Sequence, residues 1–273
     1  MSEQTAKGGK RRPERPPDCP DRVRTMIWYD AVWIARHRAR SALGKTWQSR
    51  PEVKELTKHF GKWAPYRRGK HVPKDPSTQA NPIELAEAAV PGTASWFRSP
   101  IWKAIHGELT GKMQTNDQKP RGIYDDHLFK IKGAADLLFG DVGEFGGLPI
   151  KSISFEGVMN CRSLAGLELV ETIVLLFERE NALDWPELKQ STLKLYQAST
   201  EKIAKTPEIA RNYGAFLDLI ETRYCRAATD QSKHYLDPWH VRLRGLPGFN
   251  VTQHLLGPPS DKVSPAEEFP ATV

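Results

Sequence analysis

The chain has 273 residues, 40 Lys and Arg against 33 Asp and Glu, a formal net charge of +7 and 39% hydrophobic residues, which is enough to bury a sizeable core. The longest apolar run, 164–177, is about 14 residues and contains Glu168 and Glu171, whereas a helix crossing a bilayer needs roughly 20 apolar residues, so a membrane partner is not expected. Cys19, Cys161 and Cys225 are too few and too widely spaced for a disulfide framework or a zinc site and are expected to be reduced thiols, the last two as small buried hydrophobes.

Charge is distributed unevenly. Residues 1–75 hold 19 Lys and Arg against 8 Asp and Glu, a net of +11, which leaves about −4 for the other 198 residues. Residues 1–20 are rich in Lys, Arg, Pro and Gly and poor in apolar side chains, so they are expected to form a flexible basic tail. The stretch 1–18 lacks the apolar segment of a secretory leader, and a cytoplasmic location is expected.

The first predicted element is a basic amphipathic helix over 21–43, with Ile27, Trp28, Ala31, Val32, Ile34 and Ala35 surrounded by Arg22, Arg24, Arg36, Arg38 and Arg40. Five helix starts follow, each a capping side chain with proline next or one residue later: Ser49/Pro51, Asn81/Pro82, Ser99/Pro100, Asp184/Pro186 and Thr206/Pro207. Glu52, Glu84 and Glu187 stand where a capping box would place them. The polar stretch 110–121 is expected to be a linker. A helix over 125–139 opens on Tyr124-Asp125-Asp126-His127, whose acids suit a positive helix end, and is followed by a turn at Gly140, Gly143, Gly146 and Gly147. Ile150–Phe155 alternates and is expected to be the one strand. The longest helix is expected over 163–182, where Leu167, Val170, Val174 and Phe177 form a stripe widened by Leu169, Ile173 and Leu176, leaving Glu168, Glu171 and Glu178 as a narrow polar strip. It would sit at the centre of a bundle with helices over 185–205 and 207–227.

These elements define a mainly α protein. The expected layout is a disordered basic tail (1–20), a basic helical domain (21–109), a linker (110–121), a C-terminal antiparallel helical domain (122–253) and an irregular tail (254–273).

Within 36–93, Glu55-Leu56-Thr57-Lys58-His59-Phe60-Gly61, then Tyr66-Arg67-Arg68-Gly69-Lys70-His71-Val72-Pro73, then Ile83-Glu84-Leu85-Ala86-Glu87-Ala88 resemble three parts of a Cro/CI-type helix-turn-helix. They correspond to the end of the second helix, the turn after the recognition helix and the helix that follows. Only seven residues, Pro65 among them, separate Gly61 from Gly69, where the family has a full recognition helix. The resemblance therefore implies phosphate affinity without assigned base-reading residues. Pro91-Gly92-Thr93 with Trp96-Phe97 and Ile101-Trp102 is similar to bacterial proteins that join such a basic region to a helical remainder, a likeness that implies no activity.

The candidate contact residues are Arg36, Arg40, Arg67, Arg68 and Lys70, expected to take phosphates of DNA or RNA. Trp28, Trp33, Trp47, Trp63, Trp96 and Trp102 crowd the same half and are expected in the core rather than stacked on bases. Asp230, His234, Asp237 and His240 have helical spacing for a metal, but Pro238 interrupts that helix and no metal is assigned. The glycines at 140–147 lack the Lys of a phosphate cradle. No catalytic residue or cofactor is assigned. The expectation is a nucleic-acid-associated, regulatory binding protein whose C-terminal bundle serves a homodimer or a protein partner. The alternative is a helical scaffold that meets an acidic protein, without catalysis.

Overall fold

The computed structural model describes residues 19–75, 81–109, 123–139, 153–183 and 186–225. Among these residues the chain is helical and contains no strand. The elements are α1 (Cys19–Gln48), α2 (Pro51–Phe60), α3 (Ala64–Arg67), α4 (Pro82–Ala89), α5 (Thr93–Arg98), α6 (Pro100–His106), α7 (Ile123–Lys130), α8 (Lys132–Phe139), α9 (Phe155–Asn160), α10 (Gly166–Leu183), α11 (Pro186–Ala204), α12 (Pro207–Ala210) and α13 (Tyr213–Ile220). A 3-10 turn, Gly61–Trp63, joins α2 to α3, another covers Cys161–Ser163, and a π turn, Glu221–Cys225, follows α13. Residues 1–18 and 254–273 of the expected tails and the 110–121 stretch lie outside the described residues, whereas Cys19 and Pro20, expected in the tail, begin α1.

Proline opens α2, α4, α6, α11 and α12 where the sequence places it, because its fixed φ suits a first turn and its missing N–H is not needed there. The expected caps are made at Asn81, whose Oδ1 accepts from Ile83 N at 2.9 Å, and at Ser99, whose Oγ accepts from Ile101 N at 3.3 Å. They are not made at Ser49 or Thr206, and Asp184 lies outside the described residues. Arg50, not Ser49, precedes α2, and Ser49 Oγ donates instead to the Thr46 carbonyl. Glu84 leaves its own helix end to pair with Arg98. Glu87 does the capping work for its neighbour: its carboxylate accepts from Gly92 N and Ala94 N, each at 2.7 Å, and so satisfies the start of α5.

Four sequence expectations need correction, the first being the single helix over 125–139, which is divided into α7 and α8 at Ile131, whose N donates to the Leu128 carbonyl at 3.2 Å. The longest helix is α1, 30 residues, not the one near 163–182, which runs over Gly166–Leu183 with 18. The regular part of α1 does end at Leu43 as expected: Gly44 (φ 52°, ψ −130°) breaks the helix, and the short helical piece beyond it carries Trp47, which is buried and whose Nε1 donates to the Ala89 carbonyl at 3.3 Å. The expected strand is not formed at 153–155: Ser154 is an N-cap that accepts from Gly157 N at 2.9 Å, and Phe155 opens α9. Residues 150–152 lie outside the described set. The single helix expected over 207–227 is divided, because Asn212 (φ −107°, ψ 13°) leaves helical geometry between α12 and α13 and the ladder then widens into the π turn.

Two apolar cores share α1. One face, Val23, Ile27 and Ala31, belongs to the larger core with Ile101 and Trp102 of α6, Leu128 of α7, Leu169 to Phe177 of α10, Leu195 and Tyr196 of α11, and Phe216 and Ile220 of α13. The opposite face, Trp28, Tyr29 and Val32, packs with Val53, Leu56 and Phe60 of α2, Trp63, Ile83 and Ala86 of α4, and Phe97 of α5. Elements before and after 110–121 therefore contribute to one apolar cluster. Burying each large side chain contributes about 1.5–3 kcal/mol, and Trp28, Trp102, Phe177 and Phe216 are among the largest that are fully enclosed.

α2 and α3 return along α1 in the opposite direction. Phe60 stacks on Tyr29 with centroids 5.2 Å apart, Trp63 lies 5.4 Å from Trp28, and Gly69 backs onto Arg22. α10 is enclosed on most sides, as its wide apolar stripe requires, and even Glu178 of the expected polar strip is buried, accepting from Tyr224 Oη at 2.7 Å and Arg223 Nε at 2.9 Å. Cys161 and Cys225 are buried free thiols, pushed up to about 12 by burial, and Cys19 is exposed.

Candidate anion-contact surface

The described part of the basic end up to Asp75 carries five acids, and the fold engages four of them. Asp21 pairs with Arg24 at 3.6 Å and lies 3.5 Å from His106. Glu55 receives Lys58 at 2.8 Å and His59 at 3.1 Å, and the Lys58 hydrogen bond holds its carboxyl below the usual range. Asp75 accepts two bonds from Arg98 and one from Asn81 Nδ2, with the same consequence for its carboxyl.

Asp30 is buried on α1. Arg211 Nη2 lies 2.6 Å from its Oδ1 as an ionic contact without hydrogen-bond alignment, and Asn212 Nδ2 donates to its Oδ2 at 2.7 Å. Burial pushes this carboxyl up to about 7, against the pull of Arg211 first and then Arg67. Glu52 is the one exposed acid left among the described residues up to Asp75.

The cations are treated differently by the fold. Arg22, Arg40, Lys45, Arg50, Lys54, Lys62, Arg68, Lys70 and Lys74 are all exposed and take part in no ion pair within the described structure. Lys54, Lys58 and Lys62 follow one another at four-residue spacing on the side of α2 and its 3-10 extension opposite Val53, Leu56 and Phe60. From His37 to Thr46, α1 is exposed nearly all round, with Leu43 at 47%, yet is fixed at both ends by buried Ile34 and Trp47.

The five residues expected from sequence do not come together as one group. Arg36 is half-buried with its guanidinium 3.9 Å from the Phe60 ring centroid, a packing and cation–π role. Arg67 is half-buried and its charge acts on Asp30. Arg68 and Lys70 are exposed on either side of Gly69.

Gly69 has φ 60°, and a Cβ there would stand 3.2 Å from Arg22 Cβ and 3.3 Å from the Arg22 carbonyl oxygen. This close approach sets Arg22 beside Arg68 and Lys70. Arg40 is 18 residues farther along α1 than Arg22, about 27 Å at 1.5 Å per residue. Arg22 was not singled out by the sequence, and the only local hint was the glycine between two cations.

The interval from Gly61 to Gly69 is a 3-10 turn and the four-residue α3, with Trp63 buried, so no longer helix projects from it. Aromatics of this half face inward as expected: Trp28, Trp47, Trp63, Trp96 and Trp102 are buried, and half-buried Trp33 has the His37 ring 4.1 Å from its own. Three like charges at the Gly69 turn, none of them in an ion pair within the described structure, make a local positive potential that an oxyanion can enter without displacing an internal partner.

Among the described residues no group of three or more His, Cys, Asp or Glu is placed to hold a metal ion. Asp230, His234, Asp237 and His240, and the glycines at 140–147, lie outside the described residues. No described helix is long and apolar enough to cross a membrane. No protein-family model, curated protein or solved structure matches the chain.

Proposed function

We propose that this protein associates with nucleic acid by contacting phosphates through the basic surface of α1 and the α3 turn, with Arg22, Arg68 and Lys70 as its centre. One observation carries this reading: four of the five described acids up to Asp75 are engaged inside the fold or paired, while these three cations are exposed, adjacent and in no ion pair within the described structure. Such a surface releases counterions when phosphates replace them. Arg40 and Lys45, on the exposed part of α1, extend the same charge away from the turn. Arg36 and Arg67 leave the contact set, since packing on Phe60 and proximity to Asp30 occupy them.

A gel shift with the full chain across a salt series tests the proposal. Binding should weaken steeply with salt, and R22A/R68A/K70A should lower the slope of log K against log salt by about 3, one unit for each lost phosphate contact. Absence of binding at low salt sinks it.

A further inference from the structure

We infer that the nucleic acid this surface accepts is a duplex, held by its backbone and read without its bases; the inference rests on the phosphate-contact proposal above. Proteins that prefer single strands offer exposed aromatic rings on which unpaired bases stack. Here the rings of the same helices are turned inward, and where a cation meets one, as Arg36 does at Phe60, the ring is already buried. No Trp, Tyr or Phe between 19 and 75 is exposed: five are buried, and Trp33 and Tyr66 are half-buried, the latter set edge-on to Trp28 and Trp63. An unpaired base at Arg68 would find cations and no exposed Trp, Tyr or Phe, the exposed ring of that turn being the small imidazole of His71.

Charge density points the same way. A duplex carries a charge about every 1.7 Å of its axis, and each phosphate neutralised on it gives a steeper salt dependence than one on a single strand, about 0.9 against 0.7. A surface that gains its affinity from phosphates alone therefore favours the duplex as salt is lowered. The backbone that carries Arg68 and Lys70 is also held in place. The turn after α3 is closed by Gly69 N to the Tyr66 carbonyl at 3.0 Å and Lys70 N to the Pro65 carbonyl at 2.9 Å, and Gly69 is seated on the α1 backbone. Fixed charges suit a regular phosphate lattice better than a strand that must be ordered on arrival.

Base reading requires an element that enters a groove. Between Gly61 and Gly69 the one α-helix has four residues, and Trp63 beside it points into the core. The contact is accordingly expected to be indifferent to sequence.

The test is competition binding of the full chain at one low salt concentration. It uses a duplex of about 20 base pairs, a second duplex of unrelated sequence, and each strand alone, with R68A/K70A as the control for site. The expected result is more than threefold tighter binding of both duplexes than of either strand, less than threefold difference between the duplexes, and loss of duplex affinity of tenfold or more in the variant with unchanged circular dichroism. A duplex-to-strand ratio of threefold or less, or a difference between duplexes above threefold, overturns the inference while leaving the phosphate proposal standing. Binding to none of the four overturns both, and unchanged duplex affinity in the variant removes the site from this turn.

Discussion

Asn212 Nδ2 donates a 2.7 Å hydrogen bond to Asp30 Oδ2 across 182 residues of sequence, tying the first described helix to the junction of α12 and α13. Arg211 approaches the other carboxylate oxygen at 2.6 Å, so one buried acid is shared by two consecutive residues. A hydrogen bond to a charged group contributes about 1.5–3 kcal/mol. The D30A/N212A double-mutant cycle should give a coupling of about 1 kcal/mol or more in urea denaturation; a coupling indistinguishable from zero means the contact does not join the two elements energetically.

Stability should fall as pH rises through the neutral range. Burial pushes the Glu180 carboxyl up to about 8, Lys189 opposing it, and its Oε2 has no hydrogen-bond partner. The folded state therefore holds this proton more tightly than the unfolded chain does. Its contribution is fully present below the unfolded value near 4.5 and is lost as pH climbs through about 8. Asp30, raised to about 7 by burial, adds loss in the same direction between about 4 and 7. Thermal melts from about pH 5 to pH 9 should show a declining Tm, with E180Q flattening the upper part. A Tm in E180Q that declines as steeply as in the unaltered protein contradicts the assignment.

Gly69 should be intolerant where Gly61 is not. At Gly69 the left-handed backbone and the 3.2 Å approach to Arg22 Cβ both penalise a side chain, the backbone alone by about 1–2 kcal/mol. Gly61 has φ −59° and nothing within 4 Å of where an alanine methyl would stand, so alanine there should be neutral or slightly stabilising. G69A should also flatten the salt dependence of nucleic-acid binding by separating Arg22 from Arg68 and Lys70. Equal denaturation midpoints for G69A and G61A would rule out the close seat.

Trp102 and Trp28 offer a matched pair. Trp102 Nε1 donates to the Trp96 carbonyl at 2.8 Å, while Trp28 Nε1 is buried without a partner. Phenylalanine removes similar ring volume at either position, but at 102 it also leaves a buried carbonyl unpaired, a cost of about 1–3 kcal/mol. W102F should be the more destabilised in chemical denaturation, and W28F should recover part of its packing loss by removing an unsatisfied donor. The reverse order would refute this account.

Local chemistry made much of the fold legible. Asn81-Pro82 and Ser99-Pro100 carry both the acceptor and the preset φ within two residues, and the helices begin there. The width of the apolar stripe from Leu167 to Phe177 announced a helix enclosed on most sides. What stayed hidden depends on distant partners. Asp30 looks like a solvated acid on a basic helix until Arg211 and Asn212 are brought to it. Ile153-Ser154-Phe155 alternates like a strand, and the cap that Ser154 gives to Gly157 outweighs three residues of pattern. At the candidate surface, exposure of Arg40, Arg68 and Lys70 agreed with their charge context, whereas the packing of Arg36 on Phe60 and the pairing of Gly69 with Arg22 follow from the antiparallel return of α2 and α3.

The two-faced packing of α1 also sets an order of events during synthesis. The core around Trp28, Tyr29 and Val32 draws only on residues 28–97 and is complete soon after those residues leave the ribosome. The core that receives Val23, Ile27 and Ala31 waits for Phe216, Ile220 and Cys225. At ordinary elongation rates the delay is on the order of ten seconds. For that interval the nascent chain carries a half-covered helix, one stripe sealed and the other met in part by α6, and full burial depends on its last described helices.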